Sequence, residues 1–309
     1  MQRDGWKILV IAVSIFLLGA QVGFAQPARQ WVMPNVEAPR LQQVLFDSAA
    51  AKTKVSYFIY TPEVYDTEKD RRFPVLYWLH GSGGGMRGLQ PLTRHFDGAM
   101  RAGKMAPMII VFPNGLADGM WCNSKDGKTP METVVIKELI PHIDASYRTI
   151  AAREGRILEG FSMGGYGAGR LGLKYHDLFA AVSMIAGGPL QEEFKVHEAP
   201  RADPQEAQLL LDMTYGGDQA YFKAQSPWVT AEQNAAGLQT GTLIRQVVGD
   251  ADEVYQNNRK FHDHLTQLHI PHAFLVVPGV GHNPNGIFQG LGESNWEFYR
   301  QALANLPAQ

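Results

Sequence analysis

Beyond a polar, proline-containing stretch at residues 26–40, apolar positions fall into short blocks whose spacing alternates between two kinds. Residues 54–60 (KVSYFIY) have the period of two expected of an edge or antiparallel strand, closed by Thr61-Pro62. Residues 73–79 (FPVLYWL) and 108–112 (MIIVF) are continuous apolar runs bounded by turn residues, as in strands covered on both faces of a parallel sheet. Residues 133–147 (TVVIKELIPHIDASY) are apolar at helical spacing, and Pro141 is expected to kink that helix. A short strand at 156–158 leads through a glycine-rich turn into a helix ending near Tyr175. Further strands are expected at 179–185, 242–248 and 272–277, with helices at 253–268 and 295–306. Strands alternating with helices predict an α/β architecture built on a mostly parallel, doubly wound sheet. Residues 187–227 break this rhythm. Asp203-Pro204 is an N-cap followed by proline at the first helical position, which starts a helix to about Met213. This segment reads as a small cap-like insertion above the sheet. No linker or internal repeat divides the rest, so one domain over residues 26–309 is expected.

The first 25 residues obey another logic. Arg3 and Lys7 precede an apolar run from Ile8 to Ala20, and Gly23-Phe24-Ala25 puts small residues at the positions a signal peptidase reads. The run is short for a bilayer span of about 20 residues. A cleaved signal peptide, residues 1–25, and a periplasmic or secreted product without a stable membrane anchor are the expectation. Composition then removes several classes of function. With 28 basic and 30 acidic residues the net charge is −2 and no basic run exists, which argues against nucleic acid as a partner. Cys122 stands alone, so it can neither close an intramolecular disulfide nor supply a zinc cluster. His262 and His264, two apart on a predicted helix, cannot share a face, and no other spacing suits metal ligation. No metal or cofactor is expected.

The chemistry is carried by loops at strand ends. Gly160-Phe161-Ser162-Met163-Gly164 lies between a strand and a helix. Such a pattern arises by chance about 0.1 times in a chain of this composition, so its context carries the weight. A serine on that sharp turn projects its hydroxyl from the sheet, and the helix N-terminus behind it offers N–H groups to a developing oxyanion. Serine needs a base, and His282 in residues 278–283 (PGVGHN) follows the last strand. The base needs an acid, for which Asp250, Asp252 and Glu253 compete after the 242–248 strand. The order Ser, Asp, His along the chain suits an α/β-hydrolase. Residues 80–85 (HGSGGG) form a glycine-rich loop able to complete an oxyanion hole, with the N–H of Ser82 and Met163 as the expected pair and Gly83 as the alternative. His80 reads as structural.

Taken together, these stretches resemble the serine-esterase family of the α/β-hydrolase fold that includes feruloyl esterases, acetyl-xylan esterases, S-formylglutathione hydrolase and the antigen-85 mycolyltransferases. The resemblance rests on residues 73–85 (FPVLYWLHGSGGG), 111–115 (VFPNG), 135–149 (VIKELIPHIDASYRT), 155–179 (GRILEGFSMGGYGAGRLGLKYHDLF), 247–252 (VVGDAD) and 277–283 (VPGVGHN). It implies Ser162 as nucleophile, His282 as base and Asp252 as acid, the last because the family's acid sits three residues after the glycine, here Gly249. It also implies that Trp121 lines the acyl site. Cys122 beside it is expected to be inert. The resemblance implies hydrolysis of small-molecule or carbohydrate-linked esters, such as feruloyl or acetyl esters, with acyl transfer to a sugar or lipid hydroxyl as the alternative. A non-catalytic binding protein is a third reading, disfavoured because Ser162, Asp252 and His282 are all present.

Overall fold

The computed structural model describes residues 29–306, so the expected signal peptide lies outside the described residues. Eight strands form one sheet: β1 (Leu41–Ser48), β2 (Thr53–Tyr60), β3 (Val75–Leu79), β4 (Ile109–Pro113), β5 (Arg156–Phe161), β6 (Ala181–Ile185), β7 (Leu243–Gly249) and β8 (Ala273–Val277). Their spatial order is β1-β2-β4-β3-β5-β6-β7-β8. β1 pairs antiparallel with β2, and β2 antiparallel with β4. All later neighbours are parallel. The mostly parallel sheet expected from the apolar runs is therefore present, with an antiparallel pair at one end. β2 is antiparallel as expected but interior, because the unforeseen β1 takes the edge. Only two of its eight residues are buried, which left the strand little apolar pattern to show.

Helices cover both faces. They are α1 (Met86–Arg101), α2 (Met131–Thr133), α3 (Ile140–Ser146), α4 (Met163–Lys174), α5 (Pro204–Tyr215), α6 (Gln219–Gln225), α7 (Pro227–Leu238), α8 (Tyr255–Gln267), α9 (Pro284–Leu291) and α10 (Glu293–Ala302). Along β3, Val75, Tyr77 and Leu79 join the core beneath α3, α4 and α7, while Leu76 and Trp78 join the core beneath α1, α9 and α10. All five residues of β3 are buried. Each apolar side chain so buried favours the fold by about 1.5–3 kcal/mol before entropy is counted.

The kink expected at Pro141 takes a specific form. α2 passes into a π-helical segment, Val134–Leu139, and the Ile140 N–H bonds back to Val135 C=O. The wider turn falls immediately before a residue that has no N–H to donate and whose ring crowds the preceding carbonyls. In the 187–227 segment, Asp203 accepts from Gln205 N–H (2.8 Å) and Glu206 N–H (2.9 Å), starting α5 as its sequence predicts.

The register has a functional consequence. Leu79 pairs with Gly160, Phe161 with Ile185, Ile185 with Val247 and Gly249 with Val277. The parallel strands thus end level, and the segments following β3, β5, β7 and β8 emerge at one edge. This is the α/β-hydrolase arrangement.

Candidate active site

β5 delivers Ser162 directly into α4, and the turn is too tight for ordinary geometry. Ser162 has φ 61° and ψ −121°, a region that costs a non-glycine residue on the order of 1–3 kcal/mol. Its N–H donates to Ile185 C=O (2.9 Å), and its own C=O accepts from Tyr166 N–H (3.0 Å) and Gly188 N–H (3.1 Å). Close approach behind the turn demands glycine. A Cβ on Gly164 would lie 1.9 Å from the Leu79 carbonyl oxygen.

His282 arrives from the segment after β8. Its Nε2 lies 2.9 Å from Ser162 Oγ, and its Nδ1 lies 2.8 Å from Asp252 Oδ2 and 3.1 Å from Oδ1. An ionised carboxylate only accepts, so Nδ1 carries the proton and Nε2 presents a lone pair to the hydroxyl. The His282 side chain is 7% exposed and that of Asp252 fully buried. Both are held from behind. Asp252 Oδ1 also accepts from Val254 N–H (3.0 Å). Asn283 caps α9 by accepting from Asn285 N–H at 3.0 Å, which fixes the chain immediately after the imidazole.

The three carboxylates after β7 separate cleanly. Only Asp252 meets the imidazole. Asp250 Oδ1 instead accepts from Gly279 N–H (2.6 Å), and Glu253 pairs with Arg201 at 2.8 Å. The loop after β3 separates in the same way. Gly83 N–H is occupied by Ala117 C=O (2.9 Å). Among the described residues, the N–H groups of Ser82 and Met163 bond to no backbone or side-chain acceptor.

His80 braces that loop. Its Nδ1–H donates to Gly81 C=O (2.7 Å), while Nε2 accepts from Gly115 N–H (2.9 Å). Burial drives its pKa down to about 4, so the ring is neutral and fully engaged, in the structural role its sequence suggested.

Trp121 corrects an expectation. Its side chain is fully buried, packs against Gly115 and Gly167, and donates Nε1–H to His80 C=O (3.2 Å). It stands behind the site and offers no face to a substrate; the preceding Met120 lines the cavity. Both residues have positive φ, 48° and 53°, a double bend that turns the indole inward. Cys122 is buried as well, and desolvation pushes its thiol up to about 11, which makes it inert. His262 and His264 are half-buried, and His262 Nδ1 lies 2.7 Å from His272 Nε2. Among the described residues no group of three metal-ligating side chains converges.

Arg170, inside the glycine-rich helix α4, escaped the sequence reading. Fully buried, it ion-pairs with Glu132 and donates to the Trp121 carbonyl (3.1 Å). Burial alone would raise the Glu132 carboxyl, but Arg170 and hydrogen bonds from Lys174 and Tyr175 bring it down to about 2. This cluster supports the floor beneath the site.

Above Ser162 opens a cavity of about 550 Å³. Trp78, Met86, Leu92 and Phe161 line one part, and Phe194 and Leu210 from the 187–227 segment another. Among the described residues, Arg201 is the one lysine or arginine in the lining. Neither Trp121 nor Cys122 reaches it.

Comparison with known proteins agrees with this geometry. The family described as Putative esterase matches residues 48–306. Esterase Rv1288 of Mycobacterium tuberculosis (strain ATCC 25618 / H37Rv) is 32% identical over 303 residues, covering 90% of this chain and 63% of the relative. The chain therefore spans less than two thirds of that relative's length. An endo-1,4-beta-xylanase/feruloyl esterase of Xylanibacter ruminicola is 32% identical over 172 residues, 52% of this chain and 23% of that protein. Among solved structures, a ferulic acid esterase superposes with a TM-score of 0.68 at 22% identity, over 84% of this chain and 97% of its own. An S-formylglutathione hydrolase from Agrobacterium tumefaciens gives 0.67 at 16% identity, over 85% and 95%. At these identities the structural likeness concerns the fold.

Proposed function

The chain belongs to the putative esterase family, and from that premise we propose that it hydrolyses carboxylic esters through an acyl-enzyme formed on Ser162. The observation that carries the reading is the 2.9 Å contact between Ser162 Oγ and His282 Nε2, residues 120 apart in sequence, with Asp252 on the opposite ring nitrogen. In this mechanism Nε2 takes the hydroxyl proton as Oγ attacks the ester carbonyl carbon. Asp252 holds the tautomer and stabilises the imidazolium. The N–H groups of Ser82 and Met163 receive the oxyanion; the loss of one such donor typically costs about 10²–10³ in rate. The imidazolium then protonates the departing alcohol. Water, deprotonated by the same nitrogen, attacks the acyl-serine and releases the acid.

The apolar cavity walls favour a compact acyl group, including aromatic acids such as the feruloyl group, and we assign carbohydrate-linked feruloyl or acetyl esters as the substrate class. Residues 187–227 act as the cap over that group. Hydrolysis is favoured over acyl transfer because Ser82 and Gly83 at the mouth are exposed and admit water. Adding an alcohol acceptor and measuring the ratio of transfer to hydrolysis separates the two. Residues 1–25 would direct export, which the N-terminal sequence of protein recovered from the periplasm or medium tests. Among the described residues no helix is long and apolar enough to cross a membrane. For the central claim, Ser162→Ala should lower turnover of a chromogenic acetyl ester by at least about 10³-fold. Undiminished turnover refutes it.

A further inference from the structure

The residue before the serine in a G-x-S-x-G turn has no assigned chemistry, yet here it is an aromatic ring set against the imidazole. Phe161 ends β5, lines the cavity and is half-buried. Its ring centroid lies 4.6 Å from that of His282, with the planes at 42°. Asp252 and Ser162 hold the two nitrogens of His282, both at the ring edge. Edge contacts fix direction within the plane but leave the ring free to tilt. Among the described residues, Phe161 is the one aromatic ring paired with His282. We propose that Phe161 is a positioning residue for His282: it stops the imidazole tilting off Ser162 and stabilises, through its ring face, the imidazolium formed at each proton transfer. This rests on the esterase reading above.

The physical basis is the negative face of an aromatic ring, which attracts a cation within about 6 Å of its centroid. In the mechanism above the His282 ring gains its charge on taking the serine proton, so the attraction grows along the reaction and stabilises the transition state more than the resting enzyme. Among the described residues, the other ionisable groups near the imidazole do not replace it. Asp252 is spent on Nδ1 and His80 is neutral. Arg201 on the cavity wall is paired with Glu253. An aliphatic side chain of similar size would keep water out equally well but would lack the negative face.

Phe161→Leu therefore isolates the effect. The midpoint of the acid limb of kcat/KM, which reports the free imidazole, should fall by about 0.4–0.7 pH unit. The plateau of kcat should fall about three- to fivefold with KM for a small acetyl ester little changed. Phe161→Tyr should retain the wild-type midpoint. Titration of the His282 ring proton by NMR reads the same shift without turnover, and Phe161→Met replaces the leucine variant if that one fails to fold. An unchanged midpoint in the aliphatic variant, by kinetics and by NMR, overturns the proposal. If instead Ser162→Ala retains turnover, the esterase reading itself has failed.

Discussion

Replacing Asp252 by asparagine tests the geometry at its most sensitive point, because the change is nearly isosteric and its effect follows from which oxygen faces what. Oδ1 of Asp252 accepts from Val254 N–H at 3.0 Å, while Oδ2 makes the shorter contact with His282 Nδ1 at 2.8 Å. An asparagine that keeps its oxygen on Val254 turns its NH2 group toward Nδ1. Two donors cannot face each other, so the imidazole proton moves to Nε2, and the ring then donates to Ser162 where it must accept. The charge is lost as well. At about 3 Å and an effective dielectric constant near 20, a carboxylate and an imidazolium attract by roughly 5–6 kcal/mol. Each 1.36 kcal/mol is tenfold in rate, so the expected fall in kcat is about 10⁴-fold. The assay is steady-state hydrolysis of a chromogenic acetyl ester, with a thermal melt showing that the variant is folded. Asp250→Asn is the control, since it keeps an oxygen for Gly279 N–H, and should cost less than about tenfold. If Asp252→Asn keeps activity within tenfold while Asp250→Asn loses it, the acid has been misassigned and the tautomer reasoning falls with it.

Two further expectations concern the groups behind the site. An unfolded chain protonates His80 below about pH 6.5, whereas the folded protein, with that ring held at about 4 by burial, does not until lower pH. Stability should therefore fall by about 3 kcal/mol on acidification across this window, and His80→Gln should flatten that part of a urea-unfolding series; an unchanged slope refutes it. Arg170→Met leaves the buried Glu132 carboxylate without its main partner, which should cost about 3 kcal/mol in the same assay at pH 7. A loss below 1 kcal/mol would show that Lys174 and Tyr175 suffice.

How much of this the sequence disclosed depended on whether a residue's surroundings are local. Ser162, Asp252 and His282 each follow a strand, of which only β8 (AFLVV) is a continuous apolar run while β5 (RILEGF) and β7 (LIRQVVG) carry buried polar residues, and a parallel register brings such ends together without further information. Asp252 could not be separated from Asp250 by spacing alone, because the difference is one hydrogen bond to Gly279 on a distant segment. The resemblance put Trp121 at the acyl site, but an aromatic in a loop carries no sign of which way it points; positive φ at two successive residues decides it. α7 was missed although Ser226-Pro227 repeats the cap-and-proline signal of Asp203-Pro204. Arg170 looked like one more helical cation, since its partner Glu132 lies in another helix.

The backbone around Asp252 and His282 divides the machinery into two parts. Ala251 N–H bonds to Val280 C=O and Asp250 N–H to Val277 C=O, each at 3.2 Å, and Gly279 N–H returns to Asp250. A Cβ on Gly249 would sit 1.8 Å from the Val280 oxygen, so the two segments are in contact. Acid and imidazole are thus borne on one stitched plate at the end of neighbouring strands β7 and β8, while the hydroxyl rides separately on β5, two strands away. Any breathing of the sheet between β5 and β7 would open the serine–imidazole gap and leave the imidazole–carboxylate pair intact. The proton donor is consequently the adjustable half of the assembly and the base the rigid one.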